Sequence, residues 1–235
     1  MIKTKAIVLN RKDYNDYDSL IFCYSLDFGK ICLLAKGLKR PKAKLAGHLE
    51  PFNLIDLMII KGRERDYIGS AISENSFLNI KSNYYLIDIA GQGIRFLNEL
   101  IFSNQVDFAI FLLLRDFLIN LNNIKSDDKL AELFLIYFKL KLLYISGYDF
   151  DFSQCSHCKK KVGMFLNFFD KEVLCLDCYN LKKSPATNFI KINPNIISLK
   201  QSFLESDFLK LATIKLSIKD RKELQNLIEI IKKTI

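Results

Sequence analysis

Four cysteines in two closely spaced pairs constrain the fold of this chain more than any other feature. Among its 235 residues they form the pattern C-x2-C-x16-C-x2-C, at positions Cys155, Cys158, Cys175 and Cys178. Each C-x2-C pair turns two thiolates toward one ion, and two such pairs complete a tetrahedron. A shell of four thiolates leaves no open position for water, so the pattern predicts one structural zinc ion rather than a catalytic one.

The segment that carries these cysteines is too short to fold on apolar burial alone. We assign it to residues 151–184. About thirty residues bury too little apolar surface to offset the entropy lost on ordering the chain. The metal is therefore expected to supply the folding free energy of this four-cysteine module.

Other chemistries fit parts of the same pattern. A redox C-x-x-C would explain one pair, but a second matched pair follows and no βαβ pattern surrounds either. An iron–sulfur cluster also fits the spacing. His157 lies inside the first pair and is able to replace a cysteine as a ligand, although the simpler interpretation leaves it beside the site. Cys23 and Cys32 lie in predicted strands with apolar neighbours and are interpreted as core thiols.

The first 80 residues predict a small antiparallel barrel. Stretches rich in β-branched, aromatic and other apolar residues predict five strands, at residues 5–10, 20–26, 30–36, 53–61 and 67–74. Closing short strands into a barrel removes the exposed edges that an open meander would leave. Barrels of this size are mostly OB-type or SH3-like, and we assign residues 1–80 to an OB-type, nucleic-acid-binding barrel.

The periodicity changes from strand-like to helical after residue 83. Apolar residues at helical spacing predict four helices, at residues 84–102, 106–121, 129–146 and 219–233. Residues 81–150 and 185–235 are therefore assigned to one α-helical domain, into which the four-cysteine module is inserted. The predicted fold class is α+β with several domains: an OB-type five-stranded barrel, a helical domain and a zinc-finger insert.

Basic residues are concentrated in one acid-free stretch. The chain has 35 Lys and Arg against 26 Asp and Glu, a formal net charge of +9 at pH 7. Residues 28–49 contain no acidic residue and six basic ones: Lys30, Lys36, Lys39, Arg40, Lys42 and Lys44. Flexible cations on a loop shaped by Gly and Pro suit a phosphate backbone, so these six are the candidate DNA-binding residues. A solvated lysine-rich loop is the alternative interpretation.

Aromatic residues of the predicted barrel offer faces on which bases can stack. They are Tyr14, Tyr17, Phe22, Tyr24, Phe28, Phe52 and Tyr67. One or two of them are candidates for stacking. For any single aromatic of a small barrel, a place in the core is the better interpretation.

No pattern in the chain indicates a catalytic centre. The G-x-x-x-x-G-K-[ST] phosphate loop and the H-x-E…P-C-x-x-C pattern of zinc deaminases are absent, and the chain has two histidines. The protein is therefore expected not to be an enzyme. The longest apolar run, residues 108–114, is too short to span a membrane, and no signal peptide is recognisable. A cytoplasmic protein without disulfides or membrane contact is expected.

Three stretches of the sequence, in this order, resemble the RecO family of bacterial recombination mediators. Residues 6–20 read A-I-V-L-x-x-x-D-Y-x-x-x-D-x-L, and residues 28–52 contain F-G-K…A-K-G-L-K-R-P-K-A-K-L-A-G-H-L-E-P-F. Residues 142–148 read L-L-Y-I-S-G-Y and run directly into the four-cysteine module. Many members of the family have a proline shortly before the first cysteine, where this chain has residues 149–151.

The resemblance implies an OB-fold, a central helical domain and a zinc module. It also implies a protein that binds single- and double-stranded DNA, anneals complementary strands and, with RecR, helps to load RecA onto DNA coated by single-strand-binding protein. The implied partners are RecR, the acidic C-terminal tail of the single-strand-binding protein and, indirectly, RecA, at the nucleoid. The family's DNA-contact motif matches residues 36–44. A groove in the helical domain with an apolar floor and a lysine rim would suit the acidic tail.

Two other functions fit the same features. A zinc-ribbon RNA-binding or ribosome-associated factor also combines a barrel, a basic loop and a four-cysteine module. Such a factor would need 2′-hydroxyls or a folded target, whereas a mediator would bind DNA with little sequence preference. A structural adaptor is the third interpretation, and it would show no salt-dependent binding to DNA.

Overall fold

The computed structural model describes residues 1–125, 128–160, 162–167, 170–182, 189–211, 213–214 and 216–233. The chain divides into two compact units, Met1–Leu135 and Ile136–Ile235. The boundary between them falls inside a helix. The division into three domains that we expect from the sequence stays a prediction.

Five strands form a closed barrel at the start of the first unit. They are β1 (Ile2–Asp13), β2 (Ser19–Ser25), β3 (Gly29–Ala35), β4 (Leu54–Ile60) and β5 (Tyr67–Asn75). The strands follow one another around the barrel in the order β1-β2-β3-β5-β4, and β4 pairs again with β1. The contact between β3 and β5 is parallel, and the other pairings are antiparallel. The predicted OB-type barrel is confirmed.

Strand β1 is twice as long as the sequence predicts because it pairs on both sides. Residues 2–7 pair with β4, residues 6–13 pair with β2, and a bulge lies between Val8 and Asn10. A bulge bends a strand, which lets one strand serve both halves of a barrel. The ends of β1 are rich in exposed Lys and Arg, which obscured the strand in the sequence.

The interior of the barrel is filled by aliphatic side chains that alternate along the strands. The buried cluster includes Ile21, Leu33, Ile55 and Leu57. Cys23 belongs to this cluster, and burial raises the pKa of its thiol, so the prediction of a core thiol is confirmed there. The prediction is wrong for Cys32, which is half-buried and lies outside the cluster, since its neighbours Ile31 and Leu33 take the inward positions of β3.

Four helices follow the barrel in sequence. They are α1 (Leu78–Ser82), α2 (Tyr84–Leu100), α3 (Phe108–Asn122) and α4 (Asp128–Ile145). The side chains of Asn83 and Asp107 cap α2 and α3 by accepting hydrogen bonds from backbone N–H groups of the first turn. Helix α3 buries residues on several faces, as the all-round apolar sequence predicts. A Cβ atom on Gly93 would lie 2.7 Å from the ring of Phe117, so glycine at that position lets α3 approach α2.

The second unit contains a small sheet and the remaining helices. Strands β6 (Phe165–Asn167), β7 (Glu172–Leu174) and β8 (Phe189–Lys191) pair in the order β7-β6-β8, with α5 (Leu176–Leu181) between β7 and β8 in sequence. Helices α6 (Pro194–Glu205), α7 (Phe208–Leu211) and α8 (Ile218–Lys232) complete the unit. Ser217 and Asp220 form a capping box at the start of α8. Helices α6 and α7 were not predicted.

Gly29 is required where β3 begins. Its φ is +63°, and a Cβ atom there would lie 2.1 Å from the backbone oxygen of Gln105. We expect Gly29→Ala to lower the free energy of unfolding by roughly 2–4 kcal/mol, because it adds a left-handed backbone penalty to a backbone clash. Gly47→Ala is the matched control, since no atom lies within 4 Å of the added carbon. Urea unfolding followed by circular dichroism measures both, and equal midpoints would contradict the packing of residue 105 on β3.

Candidate nucleic-acid interface and metal centre

Three loops meet at one end of the barrel. We call residues 14–18, 36–44 and 61–66 together the loop end. The backbone N–H of Gly37 donates to Asp18 Oδ1 at 2.7 Å, and the backbone N–H of Lys39 donates to the oxygen of Tyr17 at 2.9 Å. Residues 36–44 follow β3, and we call them the acid-free loop. These bonds hold the acid-free loop against the loop between β1 and β2.

The loop between β1 and β2 is ordered by its own side chains. Asn15 Oδ1 accepts hydrogen bonds from the backbone N–H groups of Tyr17 at 3.0 Å and Asp18 at 2.7 Å. The pKa of Asp18 is lowered, first by the N–H of Gly37 and then by the amide of Asn15. Backbone and amide donors are therefore the main groups that stabilise this carboxylate, and the charges of Arg40 and Lys36 add smaller contributions.

Four of the six candidate cations are exposed at the loop end. Lys42 and Lys44 extend from the loop surface, where the described residues offer them no ion pair. The Nζ of Lys36 lies 4.3 Å from the ring centre of Tyr67, and the guanidinium carbon of Arg40 lies 5.2 Å from that of Tyr17. Cations within about 6 Å of an aromatic face are attracted by the ring. These four cations remain available to a polyanion.

The other two candidates are held by protein groups. Lys39 Nζ lies 3.0 Å from Asp13 Oδ2 and donates to the backbone oxygen of Asn15 at 3.2 Å. Lys30 lies at the opposite end of β3, where its Nζ donates to the oxygen of Asn98 at 3.0 Å and burial lowers its pKa. The structure thus gathers five of the six residues and leaves Lys30 apart. Their contact with DNA stays a prediction.

The sequence did not single out the loop between β4 and β5, which adds Lys61, Arg63 and Arg65. The guanidinium carbon of Arg65 lies 5.3 Å from the ring centre of Tyr14. Glu64 and Asp66 lie among these cations and obscured them in a count of net charge. The pKa of Asp66 is lowered mainly by Lys61, whose Nζ is 2.7 Å from its Oδ2. The loop end as a whole has eight basic and four acidic residues.

Only some of the candidate aromatic residues are open to a ligand. Tyr14 and Tyr17 are 51% and 58% exposed. Phe22 is half-buried on the outer face of β2, with Lys12 Nζ 5.6 Å from its ring centre, beside a cavity of about 350 Å³. Tyr24 is fully buried and its pKa is raised to about 12, chiefly by burial. The remaining three are half-buried: Phe28, Phe52 and Tyr67.

The four cysteines of the predicted module converge on one point. Their Sγ atoms all lie within 4.8 Å of one another, and those of Cys158 and Cys175 are 3.9 Å apart. Zinc with Zn–S bonds of about 2.3 Å places tetrahedral thiolates about 3.8 Å apart. Cys155 and Cys158 come from the turn before β6, and Cys175 and Cys178 come from the start of α5. The four cysteines can hold a metal ion.

The surroundings favour the thiolate of Cys155 and disfavour that of Cys178. Burial opposes ionisation of Cys155, but the backbone N–H groups of Cys158, Cys175 and His157 outweigh it and lower the pKa to about 6. Burial and the three neighbouring thiols raise the pKa of Cys178 to about 12. Four thiolates at this spacing therefore repel one another unless a dication lies among them. His157 Nδ1 is 3.7 Å from Cys178 Sγ, next to the ligand set.

The apolar core of the four-cysteine module is small. One cluster of buried residues in it consists of Cys155, Phe165, Leu174, Cys175 and Cys178. The ring of Tyr179 stacks on Phe165 with centroids 4.1 Å apart, and Phe189 meets Tyr179 edge-on. Three of the five core members are the cysteines themselves, so the folding of this region depends on what the sulfurs bind.

A cavity of about 950 Å³ lies in the second unit beside α6. Its charged lining consists of Lys141, Asp149, Asp151, Lys200 and Glu205. Three carboxylates face two ammonium groups, and Lys200 is paired with Asp149. This cavity lacks the lysine rim that we expect of a groove for an acidic tail.

His48 has a structural contact within the barrel region. His48 Nδ1 lies 3.0 Å from Ser73 Oγ, which fixes the loop after β3 to β5.

Within the described residues, no second cluster of three or more metal-ligating side chains is present. None of the helices in that part of the chain combines the length and apolarity needed to cross a membrane.

The chain is similar to proteins named for DNA repair. It matches the family models described as Recombination protein O N terminal, over residues 1–77, and Recombination protein O C terminal, over residues 89–231. DNA repair protein RecO of Dehalococcoides mccartyi is 29% identical over 230 residues, covering 95% of this chain and 86% of that protein. The protein of the same name from a Thermoanaerobacter species is 25% identical over 231 residues, covering 97% and 90%. The N-terminal family model includes the loop end, and the C-terminal family model includes all four cysteines.

Proposed function

This chain belongs to the RecO family and shares its general role in DNA repair and recombination, and we propose that it acts as a recombination mediator. In this role it binds single- and double-stranded DNA and anneals complementary strands. The observation that carries the proposal is the loop end, where three loops of an OB-type barrel present an excess of basic over acidic residues beside two exposed tyrosines. Basic loops with aromatic faces are the usual means by which such barrels bind nucleic acid.

Annealing follows from phosphate neutralisation. Two strands approach slowly because their backbones repel each other, and cations that bind both backbones reduce this repulsion. Duplex formation then supplies the free energy, so no ATP is consumed and no bond is made or broken by the protein. We therefore propose a non-enzymatic mediator, in which Arg40, Lys42 and Lys44 contact phosphates and Lys39 holds the loops in place.

We propose that the four cysteines bind one structural zinc ion. A single tetrahedral ion fits sulfurs that are all within 4.8 Å of one another. An iron–sulfur cluster would spread its four thiolates over several iron atoms. The ligand set of Cys155, Cys158, Cys175 and Cys178 leaves no position for substrate, which supports a role in folding.

Family membership also supports a set of partners for this chain. We propose RecR, the C-terminal tail of single-strand-binding protein and, indirectly, RecA, with the protein acting in the cytoplasm at the nucleoid. The acidic lining of the cavity beside α6 speaks against that cavity as the site for the acidic tail. A basic surface elsewhere on the chain is the better candidate.

The test of DNA binding is the triple variant Arg40→Gln, Lys42→Gln, Lys44→Gln. We expect weaker binding to both single strands and duplexes, slower annealing, and a salt dependence of log K reduced by about 2 to 3, since each lost phosphate contact removes about 0.7 to 0.9. Fluorescence anisotropy at several salt concentrations and a strand-annealing assay measure these effects.

The matched control removes the same charge elsewhere. Lys210, Lys219 and Lys222 are exposed in the second unit, and their triple change to Gln is expected to leave DNA binding unchanged. If the salt dependence of log K were unchanged in the loop variant, the loop end would not be the DNA-binding surface. Preference for RNA of the same sequence would instead favour an RNA-binding factor.

A further inference from the structure

We propose that Tyr14 and Tyr17, each held against an arginine, form a base-stacking site that selects single strands over duplexes. This inference rests on the proposed function, in that the loop end must bind DNA. In this proposal the cations and the tyrosines of the loop end bind different parts of the DNA. The loop cations bind any phosphate backbone, and the two tyrosines bind unpaired bases.

The two tyrosines differ from the other aromatic residues of the barrel in their exposure. More than half of each side chain is open to solvent, whereas Tyr24 is fully buried and Phe28, Phe52 and Tyr67 are half-buried. Aromatic side chains stabilise a fold mainly through buried ring surface, and these two tyrosines leave much of theirs unburied. A ring surface free of protein contacts is what a base requires for stacking.

Each tyrosine is paired with an arginine from a different loop. Arg65, from the loop between β4 and β5, lies 5.3 Å from the ring centre of Tyr14, and Arg40, from the acid-free loop, lies 5.2 Å from that of Tyr17. Neither arginine has an ion pair within the described residues. A guanidinium beside the ring supplies a phosphate contact next to the stacked base, so each pair suits one nucleotide.

The loop that carries the tyrosines is exposed but is held by several hydrogen bonds. Its turn is closed by Asn15, and Lys39 joins it to the acid-free loop through both its backbone N–H and its Nζ. Asp13 pairs with the same Nζ at 3.0 Å. Rings held in place before binding lose little conformational entropy when a base stacks on them.

Selection between DNA forms follows from the geometry of the bases. In a duplex the bases are already stacked and paired, so an exposed tyrosine on a surface loop cannot reach a base face without opening the helix. In a single strand the faces are accessible. The tyrosines therefore strengthen binding to single strands and contribute little to duplex binding.

The test compares the DNA affinity of the double variant Tyr14→Ala, Tyr17→Ala with that of the full-length wild-type chain. Three probes of equal length are used: a single strand, a duplex and a single strand whose central sugars lack bases. We expect the double variant to bind the intact single strand about 100-fold more weakly, since losing one stacked base costs about tenfold. Affinity for the duplex and for the abasic strand should be unchanged, and the salt slope should be that of the wild type. The conservative variant Tyr14→Phe, Tyr17→Phe keeps both rings and should keep wild-type affinity.

The outcomes separate this inference from the proposed function. Wild-type binding that depends on salt but is insensitive to the alanine changes would overturn the stacking site and leave the DNA-binding loop end intact. Equal losses on all three probes would also overturn it, because they would show a structural role for the loop. Absence of DNA binding by the wild type would remove the proposed function itself.

Discussion

Substitution of Cys155 by serine is expected to release the metal and unfold residues 152–182 while the barrel stays folded. Three of the five residues in the buried cluster around the metal site are cysteines, so the packing of that cluster is lost when the sulfurs lose the proposed ion. Structural zinc sites contribute about 10–16 kcal/mol in small finger peptides. The barrel has its own core, built from β1 to β5, which contains no residue of the metal site.

The effect is measured on the whole chain. Metal analysis of the purified protein is expected to find one zinc per wild-type chain and none in Cys155→Ser. Hydrogen exchange followed by mass spectrometry should show loss of protection in peptides from β6, β7 and α5, with peptides from β1 to β5 unchanged. Treating the wild type with a strong chelator should give the same exchange pattern.

Cys32→Ser is the matched control because it makes the same chemical change at a half-buried cysteine outside the metal site. It is expected to retain one zinc and the wild-type exchange pattern. Protection of residues 152–182 that survives complete metal removal would contradict the folding role of the ion. Loss of protection through the barrel as well would show that the two regions do not fold independently.

The features that the sequence predicts well are those set by local spacing. The cysteine spacing identifies the ligand set because two short pairs determine which sulfurs can share one ion, and the four sulfurs do converge. Stretches rich in β-branched, aromatic and other apolar residues predict all five strands of the barrel, and apolar residues at helical spacing predict α8. In each case the decisive residues are a few positions apart in the chain.

The features that the sequence does not predict depend on contacts between distant segments. Lys39 looks like any other lysine of the acid-free stretch, and only its contacts with Asp13 and Asn15 show that it braces a loop. Arg65 lies between Glu64 and Asp66 in the sequence, so its charge does not stand out there. Only the fold of the barrel shows that Arg65 lies beside Tyr14. Composition gives the charge of a loop, whereas the fold decides which charges remain free.

Lys200 on α6 is a further residue whose contacts the sequence does not predict, because its environment is set by residues about fifty positions earlier. Its Nζ lies 2.7 Å from Asp149 Oδ1 and donates to the backbone oxygen of Phe150 at 2.8 Å. It also lies 5.0 Å from the ring centre of Phe152. The side chains of Lys200 and Asp149 are 6% and 16% exposed. Lys200 therefore holds the segment that leads into the first cysteine pair against α6.

Lys200→Met is expected to lower the free energy of unfolding of the second unit by about 3 kcal/mol, at the lower end for a broken buried pair, because it leaves the Asp149 carboxylate, 16% exposed, without its partner. The double variant Asp149→Asn, Lys200→Met removes both charges and should recover part of this loss. Lys219→Met is the matched control: its partner Glu223 is 3.9 Å away, and Lys219 is 80% exposed. An exposed pair of this kind contributes at most about 1 kcal/mol.

Hydrogen exchange in increasing urea measures the three variants and reports the second unit separately from the barrel. For Lys200→Met we expect faster exchange in α6 and in the segment before Cys155, with barrel peptides unaffected. If Lys200→Met and Lys219→Met shifted the unfolding of α6 equally, the buried pair would not stabilise this unit. A double variant no more stable than Lys200→Met would show that the loss comes from the contacts of Lys200 with Phe150 and Phe152 rather than from an unpaired carboxylate.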